Sequence, residues 1–338
     1  MSNIKDVAKL ANVSISTVSY ALNNTGNVSE ETKKKILDAA KKLDYRPSGI
    51  ARSLKTKKTE IIGVFLNNFN GPIYSEIIRG ARDVARANGY EIIVAECMSS
   101  KNKVTRLFGQ KIVDGAIVLS ADISDKIIKE YATENFPIVT LDRELKGEFI
   151  SSVLLDNKNA SYNAMKFIAE QGYKDILLIN GPKGTYDSEK RYEGFKDGIE
   201  NYGLNLKKNW DCIGNFEEES GYNILKKVIE SGDLPEVVCA ANDEMAIGAI
   251  KALKEYNIKI PKEIAVMGFD DIPLCEYITP KLTTIRRPAY DLGVLATHTL
   301  FNNLKGNYDG RSKMLSTEFI IRESLTERKN HNIKTRKK

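Results

Sequence analysis

IKDVAKLANVSISTVSYALN, residues 4–23, is the stretch from which the rest of the chain is best read. Ile4, Val7, Ala8 and Ala11 recur at i, i+3, i+4 and i+7, which gathers them on one apolar helical stripe and leaves Lys5, Asp6 and Lys9 in water. Asn12, Val13 and Ser14 break the pattern. The Ser14 hydroxyl can satisfy an amide in the first turn of a second helix, along which Val18, Ala21 and Leu22 resume the stripe. Two short helices meeting at a tight turn are expected, a helix-turn-helix. The outer face of the second helix carries Ile15, Ser16, Thr17, Ser19, Tyr20 and Asn23, small or hydrogen-bonding groups that suit a close approach to base edges and phosphates.

Working outward, residues 24–27 (NTGN) form a turn, and Ser29 before Glu30 and Glu31 is an N-cap with two acids placed favourably against a helix dipole. Ile36, Ala40 and Leu43 give this third helix its apolar face, and Pro47 stops it. Residues 48–59, SGIARSLKTKKT, hold only Ile50, Ala51 and Leu54 as apolar groups. A helix of about eight residues is marginal in water, so this segment orders only against a partner. A plain linker fits, and so does a DNA-induced hinge in which Leu54 is an apolar wedge between basic neighbours.

Charge sharpens the picture. Residues 1–59 carry twelve Lys or Arg against five Asp or Glu, and residues 328–338 (RKNHNIKTRKK) add six more basic groups. With a net +6 for the whole chain, the long middle is acidic. A basic head beside a helix-turn-helix is what phosphate neutralisation requires, while an acidic body does not adhere to nucleic acid.

From Glu60 the pattern becomes apolar runs alternating with amphipathic segments. IIGVFL, EIIVAE, GAIVLS and PIVTLD form one series, and DILLING, WDCIGNF, EVVCAA and EIAVMGF a second that begins near Val153. Two doubly wound parallel sheets follow, with a ligand crevice beyond the carboxyl ends of the strands. The strand-end residues are Asn67, Asn68, Asp142, Arg143, Asn180, Phe216, Asn242, Asp243, Asp270 and Asp271.

At 338 residues, two or three cores are expected. No apolar run approaches the roughly 20 residues of a membrane span and no signal-peptide pattern follows Met1, so a cytoplasmic protein without membrane contact is expected. Cys97, Cys212, Cys239 and Cys275 are scattered without a C-x-x-C pair and suggest neither disulfide nor zinc. Phosphate-binding G-x-x-x-x-G-K-[ST] and G-x-G-x-x-G loops and the G-x-S-x-G elbow are missing, and His298 has no positioned second ligand. An enzyme, a cofactor and a metal are therefore not expected.

Together these residues resemble the lactose-repressor (LacI) family over roughly Ile4 to Arg322. The head fits IxDVAxxAxVSxxTVSxxLN through Ile4, Asp6, Val7, Ala8, Ala11, Val13, Ser14, Thr17, Val18, Ser19, Leu22 and Asn23; residues 45–47 (YRP), 51–55 (ARSLK) and Thr59 fit the hinge. NDEMAIGAIKAL, IPKEIAVMGFDD and PKLTTIRRP fit the body. Ser48 departs from the Asn common at its position. The resemblance implies an all-α helix-turn-helix head (1–47), a hinge helix and linker (48–59) and an α/β periplasmic-binding-protein-like effector and dimerisation domain (60–327). Its two parallel-sheet subdomains would be crossed near 142–160 and 270–290, with a disordered basic tail (328–338). It implies a repressor acting as a homodimer on palindromic double-stranded operator DNA. Ile15, Ser16 and Tyr20 would read bases, Ser14, Thr17, Ser19, Asn23 and Tyr45 would fix the turn or face phosphates, and Ala51, Leu54 and Lys55 would enter the minor groove. Tyr74, Asp142, Arg143, Arg191, Phe216, Asn242, Asp243 and Asp270 would hold the effector. Asp243 equally fits a cap for the helix that begins beside it. A sugar or sugar phosphate is the leading ligand; a purine, suggested by GNFEEESGY, and a phosphorylated carrier protein are alternatives.

Overall fold

The computed structural model describes residues 2–23, 25–45, 58–67, 71–97, 107–110, 112–141 and 143–326. The expected hinge residues Ala51, Leu54 and Lys55, the basic tail and Asp142 lie outside the described residues. The chain divides into two units, Met1–Thr59 and Glu60–Lys338.

In the first unit three helices, α1 (Ile4–Ala11), α2 (Ile15–Asn23) and α3 (Glu30–Lys42), bury Val7, Val18 and Ile36 completely at their junction. Asn3 caps α1 in a reciprocal box with Asp6, a pattern legible in N-x-x-D that the periodicity reading passes over. Asn12 ends α1 in the left-handed conformation, which Asn tolerates, and turns the chain toward α2. Ser29 caps α3 as its position predicts.

The second unit is built on two parallel sheets. The first is ordered β11-β5-β4-β3-β1-β2, with β1 (Ile61–Leu66), β2 (Glu91–Glu96), β3 (Gly115–Val118), β4 (Ile138–Leu141), β5 (Ile150–Leu155) and β11 (Lys313–Leu315). Helices α4 (Pro72–Ala87) and α10 (Ala289–Leu304) pack into its core with β1, β3, β4 and β5, and α5 (Asp125–Tyr131) into a second apolar cluster. The other sheet is ordered β7-β6-β8-β9, from β6 (Ile176–Asn180), β7 (Asp211–Ile213), β8 (Val237–Ala240) and β9 (Ala265–Met267). Around it lie α6 (Asn157–Glu170), α7 (Tyr186–Asn201), α8 (Glu218–Ser231) and α9 (Asp243–Glu255), and an antiparallel pair, β10 (Thr284–Arg286) with β12 (Glu318–Ile320). The fully buried strands explain why their sequences read as unbroken apolar runs.

Helix pairs approach so closely that side chains are excluded at their crossings. A Cβ on Gly80 or Gly293 would collide with the carbonyl of Tyr290 or Ile77 in the α4/α10 pair, and one on Gly221 or Gly248 with that of Met245 or Glu218 in the α8/α9 pair.

Between the two lobes the chain crosses three times: from β5 into α6, from β10 into α10, and from β11 into β12. The first two lie at residues 155–157 and 286–289. The third escapes the sequence reading because β11 and β12 are three residues each, too short to show a period. Helix α5 ends at Tyr131, beyond which Thr133 and Phe136 pair across a tight turn.

Candidate DNA-reading surface and ligand cleft

On the head, the turn is held by Ser14. Its Oγ accepts from the Thr17 backbone amide at 3.1 Å and lies 2.7 Å from both the Ser16 and Thr17 hydroxyls. The cap therefore fixes the register in which Ile15 and Ser16 leave the surface. Ile15 and Tyr20 are 45% and 49% exposed, so both side chains are available at the surface of α2. Tyr20 leans its ring on Gly26, whose positive φ closes the following turn. Asn23 donates back to the Ser19 carbonyl at 2.8 Å, so that pair stiffens the end of α2. Tyr45 is half-buried against the head core, where it does structural work at the end of the bundle.

In the second unit a cavity of about 750 Å³ opens between the two lobes, at the carboxyl ends of both sheets. Tyr74 and Arg143 line it from one side and Arg191, Phe216, Asn242 and Asp270 from the other. The cleft thus gathers six of the eight effector positions. Asp142 lies outside the described residues.

Asp243 is the exception and corrects the expectation. It is fully buried behind the cavity wall, accepting from the Ile272 amide at 2.9 Å and the Thr284 hydroxyl at 2.5 Å, so it pins the loop that carries Asp270. Burial, and then Asp270 nearby, push its carboxyl up to about 7. Nor does Asp243 cap α9; Asn242 does, accepting from the Met245 amide at 3.0 Å. Asn242 also donates to the Phe216 carbonyl at 2.8 Å and so holds the Phe216 loop.

Three non-glycine residues with positive φ stand at strand-end loops here: Phe216 (71°), Asp270 (114°) and Asp271 (57°). Such conformations cost about 1–3 kcal/mol each and persist where surroundings enforce them. For Phe216 the enforcement includes Gly181, where a Cβ would collide with the ring. For Asp270 it is a backbone bond to the Ile285 carbonyl at 2.8 Å together with the Asp243 clamp.

Arg191 is the centre of the cleft's electrostatics. Only 2% of its side chain is exposed, and its guanidinium lies 3.7 Å over the Phe269 ring. It donates to Asn157 at 3.1 Å, to the Ala241 carbonyl at 2.5 Å and to Asp270 at 3.1 Å. Asp187, one turn before Arg191, receives Asn157 at 2.8 Å and Arg287 at 3.0 Å. Asp270 is held above the usual carboxylate range by burial, against the pull of Arg191 and Arg287. Asn157, Asp187 and Arg287 were not foreseen. The i,i+4 spacing of Asp187 and Arg191 offered a signal; Asn157 and Arg287 meet them only through the fold. These two sit beside two of the chain crossings, so the cleft's ion network is tied to segments that join the lobes.

Arg143 reaches the cavity but turns away from it. Its guanidinium donates to the carbonyls of Ser120 and Ile123 and pairs with Asp125 at 3.1 Å, closing the loops of its own lobe. Asn67 likewise accepts from Ser120 and Ala121. Asn180 donates to Asp211 and the Cys212 carbonyl and is absent from the lining. Among the described residues no group of three or more His, Cys, Asp or Glu could hold a metal ion, and no helix is long and apolar enough to cross a membrane.

A helix-turn-helix head joined to a two-lobed ligand-cleft unit defines a class of ligand-responsive DNA-binding regulators. Residues 3–48 match the model of bacterial regulatory proteins of the lacI family, and residues 165–325 that of the periplasmic binding protein-like domain. The regulator RegA of Clostridium saccharobutylicum is 35% identical over 96% of this chain and 99% of its own length. The repressor PurR of Histophilus somni strain 129Pt is 34% identical over 96% and 99%. Among solved structures, a lac repressor dimer bound to operator and an anti-inducer superposes with a TM-score of 0.82 at 24% identity, covering 96% of this chain and 98% of that one. A LacI-family regulator from Enterococcus faecium with bound ribose superposes at 0.72 with 26% identity, over 79% and 99%. The chain belongs to the lacI family of bacterial regulatory proteins, and it is an effector-controlled DNA-binding transcriptional regulator rather than an enzyme.

Proposed function

We propose that this regulator is a cytoplasmic homodimeric repressor whose grip on a palindromic operator is set by a sugar bound in the cleft. The observation that carries the ligand class is the second-lobe wall. There Asp270 offers a carboxylate beside a buried arginine, and the Phe216 ring is fixed by its own backbone. Vicinal hydroxyls suit a carboxylate and a guanidinium fork, and an apolar sugar face suits an aromatic ring. The ribose-bound relative shows that a cleft of this fold accommodates a sugar in that protein. Ile15, Ser16 and Tyr20 present the base-reading face, and Ala51, Leu54 and Lys55 supply the minor-groove contact. The two ends communicate only insofar as the ligand binds one arrangement of the lobes better than another.

Calorimetric titration of the full chain with a saccharide and purine panel tests the reading. A saccharide should bind, and Asp270→Asn should weaken it severely. A purine bound in its place, with saccharides inert, would move this protein to the ligand class that the PurR resemblance suggests.

A further inference from the structure

Charge around the cleft is unbalanced, and the imbalance bears on which ligands it can hold. Three arginines and no lysine line it among the described residues, and each arginine has an acidic partner already: Arg143 with Asp125, Arg191 with Asp270, Arg287 with Asp187. Arg191 and Arg287 are 2% and 7% exposed at the side chain, so neither can swing out toward a new partner without stripping a buried carboxylate of its own. Four further glutamates line the cavity: Glu144, Glu189, Glu217 and Glu244. Of these, Glu244 is half-buried at the start of α9, and it is held above the usual range by burial and then by Asp270, Glu217 and Glu218. The first turn of α9 would otherwise favour an anion, and this glutamate occupies that position.

Building on the sugar reading above, we propose that the cleft selects uncharged sugars and rejects their phosphorylated and uronic counterparts. Among the described lining residues, an anion entering it meets no arginine without an acidic partner, and meets several carboxylates that repel it, of which Glu244 is half-buried. Neutral hydroxyls, by contrast, can donate to the same carboxylates. Specificity here comes from an element that excludes as much as from one that attracts.

The test is calorimetric titration of the full chain with matched pairs: ribose and ribose 5-phosphate, glucose and glucose 6-phosphate or glucuronate, hypoxanthine and inosine monophosphate. In whichever pair binds, the anionic member should be weaker by at least about tenfold, the scale of a single like-charge contact. Glu244→Gln should narrow that gap, raising the affinity of the anion relative to that of the neutral member. An anion that binds as tightly as its neutral parent, or a gap that Glu244→Gln leaves untouched, overturns the proposal. Preference for hypoxanthine over its nucleotide, with sugars inert, would refute the sugar reading while upholding the charge rule. If no pair binds, the sugar reading falls and inorganic phosphate decides the charge rule alone. Thermal stabilisation by phosphate confined to Glu244→Lys upholds it, and equal stabilisation of the unmodified chain overturns it.

Discussion

The two walls of the cleft are built differently. On the second lobe Arg191, Asp270, Asp187, Arg287 and Asn157 form one buried network drawn from four separate stretches of chain, with strained backbone at Phe216 and Asp270 held in place behind it. On the first lobe Tyr74 is half-buried, Asp125 is 59% exposed at its side chain, and Arg143 and Asn67 tie separate strand-end loops of that lobe together, each through the segment at residues 120–125. The second-lobe wall is the more deeply buried and the more strongly preorganised of the two. Preorganisation lowers the ordering cost of binding. The network also reaches Asn157 and Arg287, which stand beside two of the chain crossings.

The largest expected break of this contrast is Arg191→Ala. It strands the buried Asp270 carboxylate and should cost about 3–5 kcal/mol in denaturant unfolding, whereas Arg143→Ala should cost about 1 kcal/mol. Equal losses would erase the distinction between the walls. Next comes pH. The Asp243 carboxyl, about 7 when folded against an ordinary 3.8, keeps its proton in the native state over that interval, so the stability this group contributes is full below about pH 4 and is lost as pH rises through about 7. The fall attributable to this group should reach up to about 4 kcal/mol, and Asp243→Asn should remove it from the pH dependence of unfolding. Smaller still is the difference between rings: Phe216→Ala should weaken ligand about tenfold and Tyr74→Ala only severalfold, by calorimetry. The smallest lies in the head, where Ser14→Ala should cost about 1 kcal/mol of helix-turn-helix stability on thermal unfolding.

The head was legible because its signals are local. Apolar spacing, Ser14 and Ser29 as caps and the Gly26 turn all act within a few residues, and the structure contains them as read. The alternating strands and helices were legible for the same reason. The cleft was legible in part. Arg191, Phe216 and Asp270 were reachable through the family resemblance, but Arg287 and Asn157 meet Asp187 across 100 and 30 residues, and no local pattern announces such a meeting. Asp243 misled because its place at a strand end is shared with true cleft residues; only burial shows that its carboxylate faces inward. The third crossing was hidden by strands too short to alternate.

The central claim is that the second-lobe wall receives the ligand that controls the head. Its most direct test is operator affinity of the full chain with and without bound sugar, compared between the unmodified protein and Asp270→Asn. The account predicts that sugar shifts the affinity of the unmodified protein, while the variant matches its unliganded affinity and does not respond. A variant that responds as fully as the unmodified protein would place control elsewhere.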